Sequence, residues 1–145
     1  MPSSFRYERA FCRNLGWITE WEQQLLRDRR VAIAGLGGVG GRHLLTLARL
    51  GIGAFHLADP DHFELANFNR QAGATLTRLG GEKLTTMTAM ARDINPELRI
   101  VGFPEGVADH NVDSFLDGVD LFVDGLDFFL LDIRARVFRR CAELG

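Results

Sequence analysis

A glycine-rich segment between a short apolar run and a helical pattern constrains the fold most. The run Val31–Ala34 predicts a buried strand, and residues 35–41 after it read Gly-Leu-Gly-Gly-Val-Gly-Gly. From about Gly40 apolar residues recur at helical spacing, and Gly51 predicts the end of that helix before a second strand over 54–58. A strand, a tight glycine turn, a helix and a second strand form a βαβ unit.

The rest of the chain continues to alternate between strands and helices. The further predicted elements are a helix opened by a Thr19/Glu22 capping box and running to Arg29, helices over 82–94, 111–116 and 128–144, and strands over 98–103 and 119–123. This alternation predicts an α/β fold, namely a Rossmann-like, doubly wound, mainly parallel sheet with helices on both faces. Such sheets usually continue beyond a helix like the last one, so we interpret the chain as the N-terminal half of a larger fold.

Composition excludes several classes of protein. An apolar share of 46% over 145 residues is typical of one folded domain with a single core. The formal net charge of −2 does not predict a nucleic-acid partner. Without a charged leader followed by an apolar stretch, or a run of the ~20 apolar residues that span a bilayer, we expect a cytoplasmic protein with no membrane partner. Cys12 and Cys141 stand too far apart in sequence to indicate a zinc site or a disulfide framework.

The glycine segment has the spacing of a phosphate-binding turn. Gly35 permits the tight turn, Gly37 and Gly38 let backbone N–H groups approach phosphate oxygens, and Gly40 allows close packing of helix on strand. The helix N-terminus adds positive potential. A glycine turn without a ligand is the alternative, and the motif alone does not separate ATP from NAD or FAD.

Acidic residues follow two of the predicted strands. Asp59 closes the second strand, where dinucleotide folds place the carboxylate that binds ribose hydroxyls; the alternative is a turn residue before Pro60, as we interpret Asp61. Asp124 and Asp127 end the fourth strand, at the sheet edge where open α/β sheets bind ligands. Asp127 is suited to Mg²⁺, with a helix cap as the alternative, whereas Asp124 is suited to local hydrogen bonding.

A polar, cationic segment lies between these acids. Residues 67–71 read Asn-Phe-Asn-Arg-Gln, and Lys83 follows at the start of a predicted helix. Nucleotidyl transfer needs cations such as Arg70 and Lys83, because negative charge develops on the α-phosphate and on the leaving pyrophosphate. Either residue taken alone is also compatible with a solvated surface charge.

Together these motifs resemble the ThiF/MoeB/ubiquitin-activating-enzyme superfamily of ATP-dependent adenylyltransferases. The motifs that carry the resemblance are Gly-x-Gly-Gly-x-Gly at 35–40, Asp59, Asn67-x-Asn69-Arg70-Gln71, Lys83, Asp93-Ile94-Asn95-Pro96 and Asp124-x-x-Asp127. Their order and spacing match the family over nearly the whole chain. The resemblance implies residues 1–30 as an N-terminal helical segment and 31–145 as a nucleotide-binding domain.

The resemblance also implies roles for individual residues, with ATP and Mg²⁺ as cofactors. The nucleotide-binding set is Gly35, Gly37, Gly38, Gly40, Asp59, Asn67, Asn69 and Gln71. The catalytic set is Arg70, Lys83, Asp127 and Arg13, with Asp127 also supporting the metal. Arg13, or alternatively Arg9, would reach the ATP of a neighbouring subunit in a homodimer. The implied substrate is a carboxylate, such as the C-terminus of a ubiquitin-like protein or peptide, activated as an acyl-adenylate.

The chain departs from the family pattern in two respects. Phe128 stands where the family usually has Asn, directly after the second Asp of Asp-x-x-Asp. The family's later strands, crossover loop, Cys-x-x-Cys zinc pairs and any acceptor cysteine correspond to positions beyond Gly145. Two other interpretations stay open: an inactive nucleotide-binding partner subunit, and an NAD(P)- or FAD-dependent oxidoreductase built on the same βαβ unit.

Overall fold

Strands and helices alternate along residues 5–145, the part of the chain that the computed structural model describes. The strands are β1 (Arg30–Ala34), β2 (Ala54–Ala58), β3 (Arg99–Phe103) and β4 (Leu121–Asp124). The α-helices are α1 (Tyr7–Ala10), α2 (Glu20–Asp28), α3 (Gly40–Leu50), α4 (Lys83–Ile94), α5 (Val112–Leu116) and α6 (Leu131–Leu144). Short 3₁₀ turns lie at Cys12–Asn14, Leu65–Asn67 and Leu76–Arg78.

The four strands form one parallel sheet in the order β3-β2-β1-β4. In register, Ala32 of β1 lies between His56 of β2 and Phe122 of β4, and His56 in turn pairs with Val101 of β3. The chain leaves β1 toward β2 and β3 and later returns to the other side of β1. The strand order therefore reverses between β1 and β4, and the crevice at their carboxyl ends is where such sheets bind ligands.

Helices cover both faces of the sheet, as predicted. On one face, Leu44 and Ala48 of α3 and Met87 of α4 pack in a core cluster with Phe55 and other strand residues. On the opposite face, α5 and α6 pack over the alanines of β1 and β2 and form a second cluster. The small side chains Ala32, Ala34 and Ala58 let Phe115 of α5 and Val137 of α6 approach that face closely. These observations confirm the Rossmann-like α/β fold.

The N-terminal segment is anchored at the carboxyl end of α3. The Tyr7 hydroxyl donates to the carbonyl of Gly51 at 2.5 Å, and the side-chain amides of Gln23 and Asn14 donate to the carbonyl of Leu50 at 2.9 and 3.2 Å. The capping box that opens α2 is present as predicted at Thr19. The segment therefore lies at the end of α3 that is remote from the glycine turn.

Two predicted elements have a boundary that differs from the structure by more than one residue. The strand predicted over 119–123 is Leu121–Asp124, because the Asp120 carboxylate accepts the backbone N–H of Arg30 at 2.8 Å and holds Asp120 at the entrance to the strand. The helix predicted from Phe128 begins at Leu131. The preceding residues form a turn, in which Leu130 N–H donates to the carbonyl of Asp127 at 3.1 Å.

Helix α6 buries a narrow face. Val137 is fully buried, while Leu131 and Phe138 are 58% and 51% exposed. Phe138 contacts Phe122 of the edge strand β4 edge-to-face, with 5.6 Å between ring centroids. An apolar strip along α6 and β4 thus faces outward. Within residues 5–145, no helix combines the length and apolar character needed to cross a membrane.

Candidate functional site

The glycine turn between β1 and α3 has a backbone that side chains would disrupt. Gly35 has a φ of +86°, and a Cβ there would overlap the backbone carbonyl of Gly125 after β4. A Cβ at Gly40 would overlap the carbonyl of Gly35. The first turn of the 11-residue helix α3 carries no acidic side chain, so its N-terminal N–H groups and positive potential are available to an anion.

Asp59 ties the glycine turn to the end of β2. Its Oδ2 accepts the backbone N–H of Leu36 at 2.6 Å, and its Oδ1 accepts that of Asp61 at 2.8 Å. The residue is 5% exposed. Burial raises the pKa of the Asp59 carboxyl above its ordinary value, although the Leu36 and Asp61 N–H donors and the charge of Lys83 lower it. Each oxygen retains a lone pair, so the carboxylate can still accept hydrogen bonds from a ligand.

Arg70 and Gln71 lie against the turn from the side of the polar segment. A methyl group added at Gly38 would contact Cγ of Arg70 at 3.3 Å, which places the side-chain stem of Arg70 on the turn. The exposed guanidinium of Arg70 donates to the carbonyl of Ala66 and to Oδ1 of Asn69, both at 2.9 Å.

Gln71 carries an orphaned polar atom beside the turn. The residue is 8% exposed, and its Nε2 lies 3.3 Å from where a Cβ of Gly37 would be. Among the described residues, Oε1 of Gln71 has no hydrogen-bond partner. Leaving a buried amide unpaired costs about 1–3 kcal/mol, so the site calls for a polar group at this point.

Lys83 is the only lysine in the sequence and is buried, with 6% exposure. Its Nζ lies 3.2 Å from Oδ2 of Asp61, and its backbone N–H donates to the Asp61 carbonyl at 2.9 Å. Asp61 therefore does more than form a turn: it holds the start of α4 against the end of β2. This arrangement places the ammonium of Lys83 close enough to influence Asp59.

The loop after β4 completes the crevice. Asp124 pairs with Arg134 of α6 at 2.5 Å and accepts the backbone N–H of Leu126 at 3.1 Å, which is the local role expected of it. Asp127 is exposed. Residues 5–145 contain no cluster of three or more metal-ligating side chains. A Mg²⁺ held by Asp127 would therefore take its other ligands from phosphate oxygens and water, which is usual for this ion.

Three predicted residues make no hydrogen bond to the turn within residues 5–145. Asn67 is buried and its Oδ1 accepts the backbone N–H of Glu64 at 2.9 Å, so it supports the polar loop. Oδ1 of Asn69 accepts a hydrogen bond from the guanidinium of Arg70, whose side-chain stem lies on the turn. Arg13 is exposed next to Asn14, at the carboxyl end of α3, which is about 16 Å long. Roles for these three residues in nucleotide binding stay predictions, and Arg13 cannot reach the turn of its own chain.

Sequence reasoning missed Gly125 and Arg134. A Cβ at Gly125 would lie 2.5 Å from the carbonyl oxygen of Gly35, so the two loops require glycine on both sides of their contact. Gly125 falls inside the Asp-x-x-Asp motif, which was a signal that a close backbone approach is needed there. Arg134 gave no such signal, because its partners lie six to ten residues earlier in the chain.

A second cleft lies at the opposite edge of the sheet. It has a volume of about 240 Å³ and is lined by residues that include Tyr7, Arg27 and Arg99. Arg27 stacks over the Tyr7 ring and pairs with Glu97 at 2.9 Å. The arginines in this cleft thus help to pack the N-terminal segment. The crevice between β1 and β4 is therefore the stronger candidate for the functional site.

Comparison with known proteins gives relatives over most of the chain. The ThiF family model matches residues 11–145. The tRNA threonylcarbamoyladenosine dehydratase of Bacillus subtilis is 35% identical over 107 residues, which cover 74% of this chain and 42% of the relative. Ubiquitin-like modifier-activating enzyme 5 of Drosophila erecta is 37% identical over 99 residues, which cover 68% of this chain and 24% of the relative.

Solved structures agree with these matches. The tRNA N6-threonylcarbamoyladenosine dehydratase TcdA of E. coli, in a crystal structure with ATP, superimposes with a TM-score of 0.90 at 30% sequence identity. The superposition covers 99% of this chain and 58% of that one. A crystal structure of the same enzyme with AMP gives the same TM-score. The chain spans about two fifths of the length of the B. subtilis relative and less than two thirds of TcdA. With its fold, its crevice and these matches, the chain belongs to the ThiF family.

Proposed function

We propose that this chain supplies the ATP-binding part of an enzyme that adenylates a carboxylate. The observation that carries the proposal is the meeting of the glycine turn with Arg70 on Gly38 and with the loop of Asp127 at the crevice between β1 and β4. Each group comes from a different part of the sequence, and the fold brings them to one edge of the sheet. The ATP complex of the TcdA relative supports ATP as the nucleotide.

The described residues fit ATP in three ways. The N-terminus of α3 and the glycine turn present backbone N–H groups to the phosphates. Asp59, at the end of β2, accepts the ribose hydroxyls. The orphaned amide of Gln71 gains a polar partner when a nucleotide fills the turn. Asn67 and Asn69 hold the polar loop over the nucleotide.

The chemistry requires positioning rather than a protein nucleophile. An oxygen of the substrate carboxylate attacks the α-phosphorus in line, and the bond between that phosphorus and the bridging oxygen to the β-phosphate breaks. Pyrophosphate leaves with the bonding electrons, and an acyl-adenylate remains. Arg70 and Lys83 stabilise the charge that grows on these oxygens. Mg²⁺, supported by Asp127, neutralises the phosphates when bound.

The proposed substrate is a carboxylate on a protein or peptide C-terminus. The names of the two relatives point to a ubiquitin-like modifier in one case and to a modified tRNA nucleoside in the other. The formal net charge of −2 does not indicate a nucleic-acid partner, and we therefore propose the protein or peptide carboxylate. We further propose a homodimer in which Arg13 of each copy serves the site of the other, since Arg13 lies at the far end of α3 from its own turn.

ATP–pyrophosphate exchange tests the proposal. Labelled pyrophosphate should enter ATP only when a cognate carboxylate is present, because exchange requires a reversible acyl-adenylate. Candidate ubiquitin-like proteins, peptides and modified tRNA are compared, each against the same partner with its carboxylate blocked as an amide. Exchange that depends on tRNA would show that the substrate carboxylate is on a nucleic acid. ATP binding without exchange for any verified partner would favour an inactive partner subunit, and tighter binding of NAD than of Mg·ATP would favour an oxidoreductase.

A further inference from the structure

The side chain of Arg134 holds the loop between β4 and α6 from the helix side. Arg134 pairs through Nε with Oδ2 of Asp124 at 2.5 Å and donates through Nη2 to the carbonyl of Leu126 at 2.8 Å. Longer contacts of 3.3 Å reach the carbonyls of Asp127 and Phe128. A single guanidinium thus contacts one carboxylate and three consecutive carbonyl groups.

The chemistry of this contact suits arginine specifically. A guanidinium presents five N–H donors in a rigid plane, so it can hold several acceptors at once, whereas an ammonium is a point charge on a flexible stem. Arg134 and Asp124 are both about four-fifths buried, with side-chain exposures of 23% and 22%. The pair is shielded from water more than the other arginine–carboxylate pairs of α6. Solvent and salt therefore screen the attraction between its two charges less.

The same loop is fixed from its other side by the glycine turn. Gly125 lies so close to Gly35 that neither position accepts a Cβ. Arg134 contacts the loop two and three residues later, at Asp127 and Phe128. The loop backbone is therefore clamped between the phosphate turn and α6.

Asp127 lies at the middle of this clamp, yet its own side chain is uncommitted. Within residues 5–145, its carboxylate makes no hydrogen bond or ion pair, and the residue is exposed. Its position relative to the turn is set only by its backbone. The carbonyl of Asp127 is shared between Arg134 and the N–H of Leu130, which starts the turn into α6.

We propose that Arg134 is a positioning residue that holds Asp127 at the distance from the phosphate turn at which its carboxylate supports the metal of a bound Mg·nucleotide. The proposal rests on the proposed function, because it assigns Asp127 to a metal held on ATP phosphates. Arg134 itself contacts neither nucleotide nor metal. Removing Arg134 leaves the glycine turn and Asp59 in place. Its removal should therefore weaken the binding of Mg·ATP and leave the binding of metal-free ATP nearly unchanged.

The experiment measures equilibrium binding of ATP to the full chain, in excess Mg²⁺ and in a chelator. Arg134→Gln should weaken binding of Mg·ATP by about 10-fold, the usual loss when a group that orients a metal ligand is removed. Binding of metal-free ATP should change by less than about 2-fold. Arg134→Lys should recover only part of the loss. Arg136→Gln is the matched control. Arg136 also lies on α6, but it pairs with Asp109, which precedes α5, and its side chain is half exposed.

A double-mutant cycle with Asp127→Asn separates positioning from a general loss of stability. If Arg134 acts through Asp127, Arg134→Gln adds no further loss of Mg·ATP binding in the Asp127→Asn background. Additive losses, equal losses with and without Mg²⁺, or full recovery in Arg134→Lys would each overturn the proposal. If the parent chain itself bound ATP equally with and without Mg²⁺, the assignment of metal support to Asp127 would fail first, and the inference with it.

Discussion

The backbone N–H of Leu36 donates to the Asp59 carboxylate at 2.6 Å, and this bond fixes the glycine turn to the end of β2. One side chain thereby connects the two segments that sequence motifs assign to phosphate and to ribose. A change at Asp59 consequently affects both the shape of the turn and the proposed ribose contact.

Asp59→Ala should weaken ATP binding by about 10- to 100-fold, the loss expected when hydrogen bonds to a charged acceptor are removed. Equilibrium titration with Mg·ATP measures the change, and ATP should bind more tightly than NAD to the parent. Asp93→Ala is the matched control, because Asp93 is an exposed acid on α4. Unchanged ATP affinity in Asp59→Ala, at a temperature where thermal unfolding shows it folded, would contradict the ribose assignment.

The raised pKa of Asp59 gives stability and binding opposite dependences on pH. The folded state holds the proton of this carboxyl more tightly than the unfolded state does. Asp59 therefore contributes to the free energy of unfolding at pH values below its pKa in the unfolded chain. That contribution is lost as the pH rises through its pKa in the folded chain. Only the ionised form accepts both ribose hydroxyls, so nucleotide affinity should rise over the same range.

Asp59→Asn provides the reference for both measurements. The free energy of unfolding of the parent minus that of the variant should decrease as pH rises from about 4, the ordinary pKa of Asp. Affinity for adenosine, which has no phosphate to titrate, should rise with pH in the parent and stay flat in the variant. A difference in stability that increased with pH would show that the N–H donors of Leu36 and Asp61 outweigh burial.

Mg·ATP should protect Lys83 from acylation. Lys83 is the only side-chain amine of the chain, so mass spectrometry after treatment with an N-hydroxysuccinimide ester reports on one site. At about 100 times Kd, bound nucleotide should slow acylation by up to about 100-fold, because only the free chain reacts. The amino terminus serves as the internal reference. An acylation rate insensitive to Mg·ATP would remove Lys83 from the nucleotide site.

Arg70→Ala and Lys83→Ala should each slow ATP–pyrophosphate exchange on the order of 10²-fold or more, with a smaller effect on ATP affinity. The reason is that their partners are charges that grow during transfer of the α-phosphate. Asp127→Asn should raise the Mg²⁺ concentration needed for exchange in the same assay. Arg92→Ala is the control, because Arg92 is an exposed cation of α4. Exchange at the parent rate in all three variants would show that the active-site assignment is wrong.

The outward-facing strip of β4 and α6 should make the chain self-associate. Leu121, Phe129 and Leu131 are each more than half exposed, which favours burial against another apolar surface. Sedimentation at micromolar concentration should detect dimers or larger species, and Leu121→Lys should reduce them. Val101→Lys, on the opposite edge strand, is the matched control and should not. A parent chain that sediments as a stable monomer would refute this prediction.

Local patterns predicted most of the fold. The boundaries of β2 and the carboxyl end of α3 were correct, because both have local signals. A largely apolar run lies between Gly53 and the Asp59-Pro60 pair, and Gly51 ends the helix in the left-handed region. The start of α6 was predicted three residues too early. The helix starts later because Leu130 donates to the carbonyl of Asp127 and forms a turn. Arg134, a residue of the helix itself, stabilises that turn.

The candidate site shows the same difference between local sequence signals and contacts between distant residues. Motif spacing predicted that residues from separate segments would meet near the glycine turn, because the carboxyl ends of parallel strands lie at one edge of the sheet. Asp59, Arg70 and Gln71 do contact the turn, while their roles in nucleotide binding stay predictions. The partners of those residues were not predictable. The Asp61–Lys83 pair and the packing of Gly125 on Gly35 depend on how loops from separate strands meet in three dimensions.

The anchoring of the N-terminal segment at the carboxyl end of α3 has a spectroscopic consequence. The chain has two tryptophans, Trp17 and Trp21, and both lie on this segment with 93% and 69% of their surface exposed. Their emission should therefore resemble that of indole in water. A blue shift would report a surface arriving on this end of the molecule, while filling of the glycine turn at the other end of α3 would leave the spectrum unchanged unless a second subunit arrives with it.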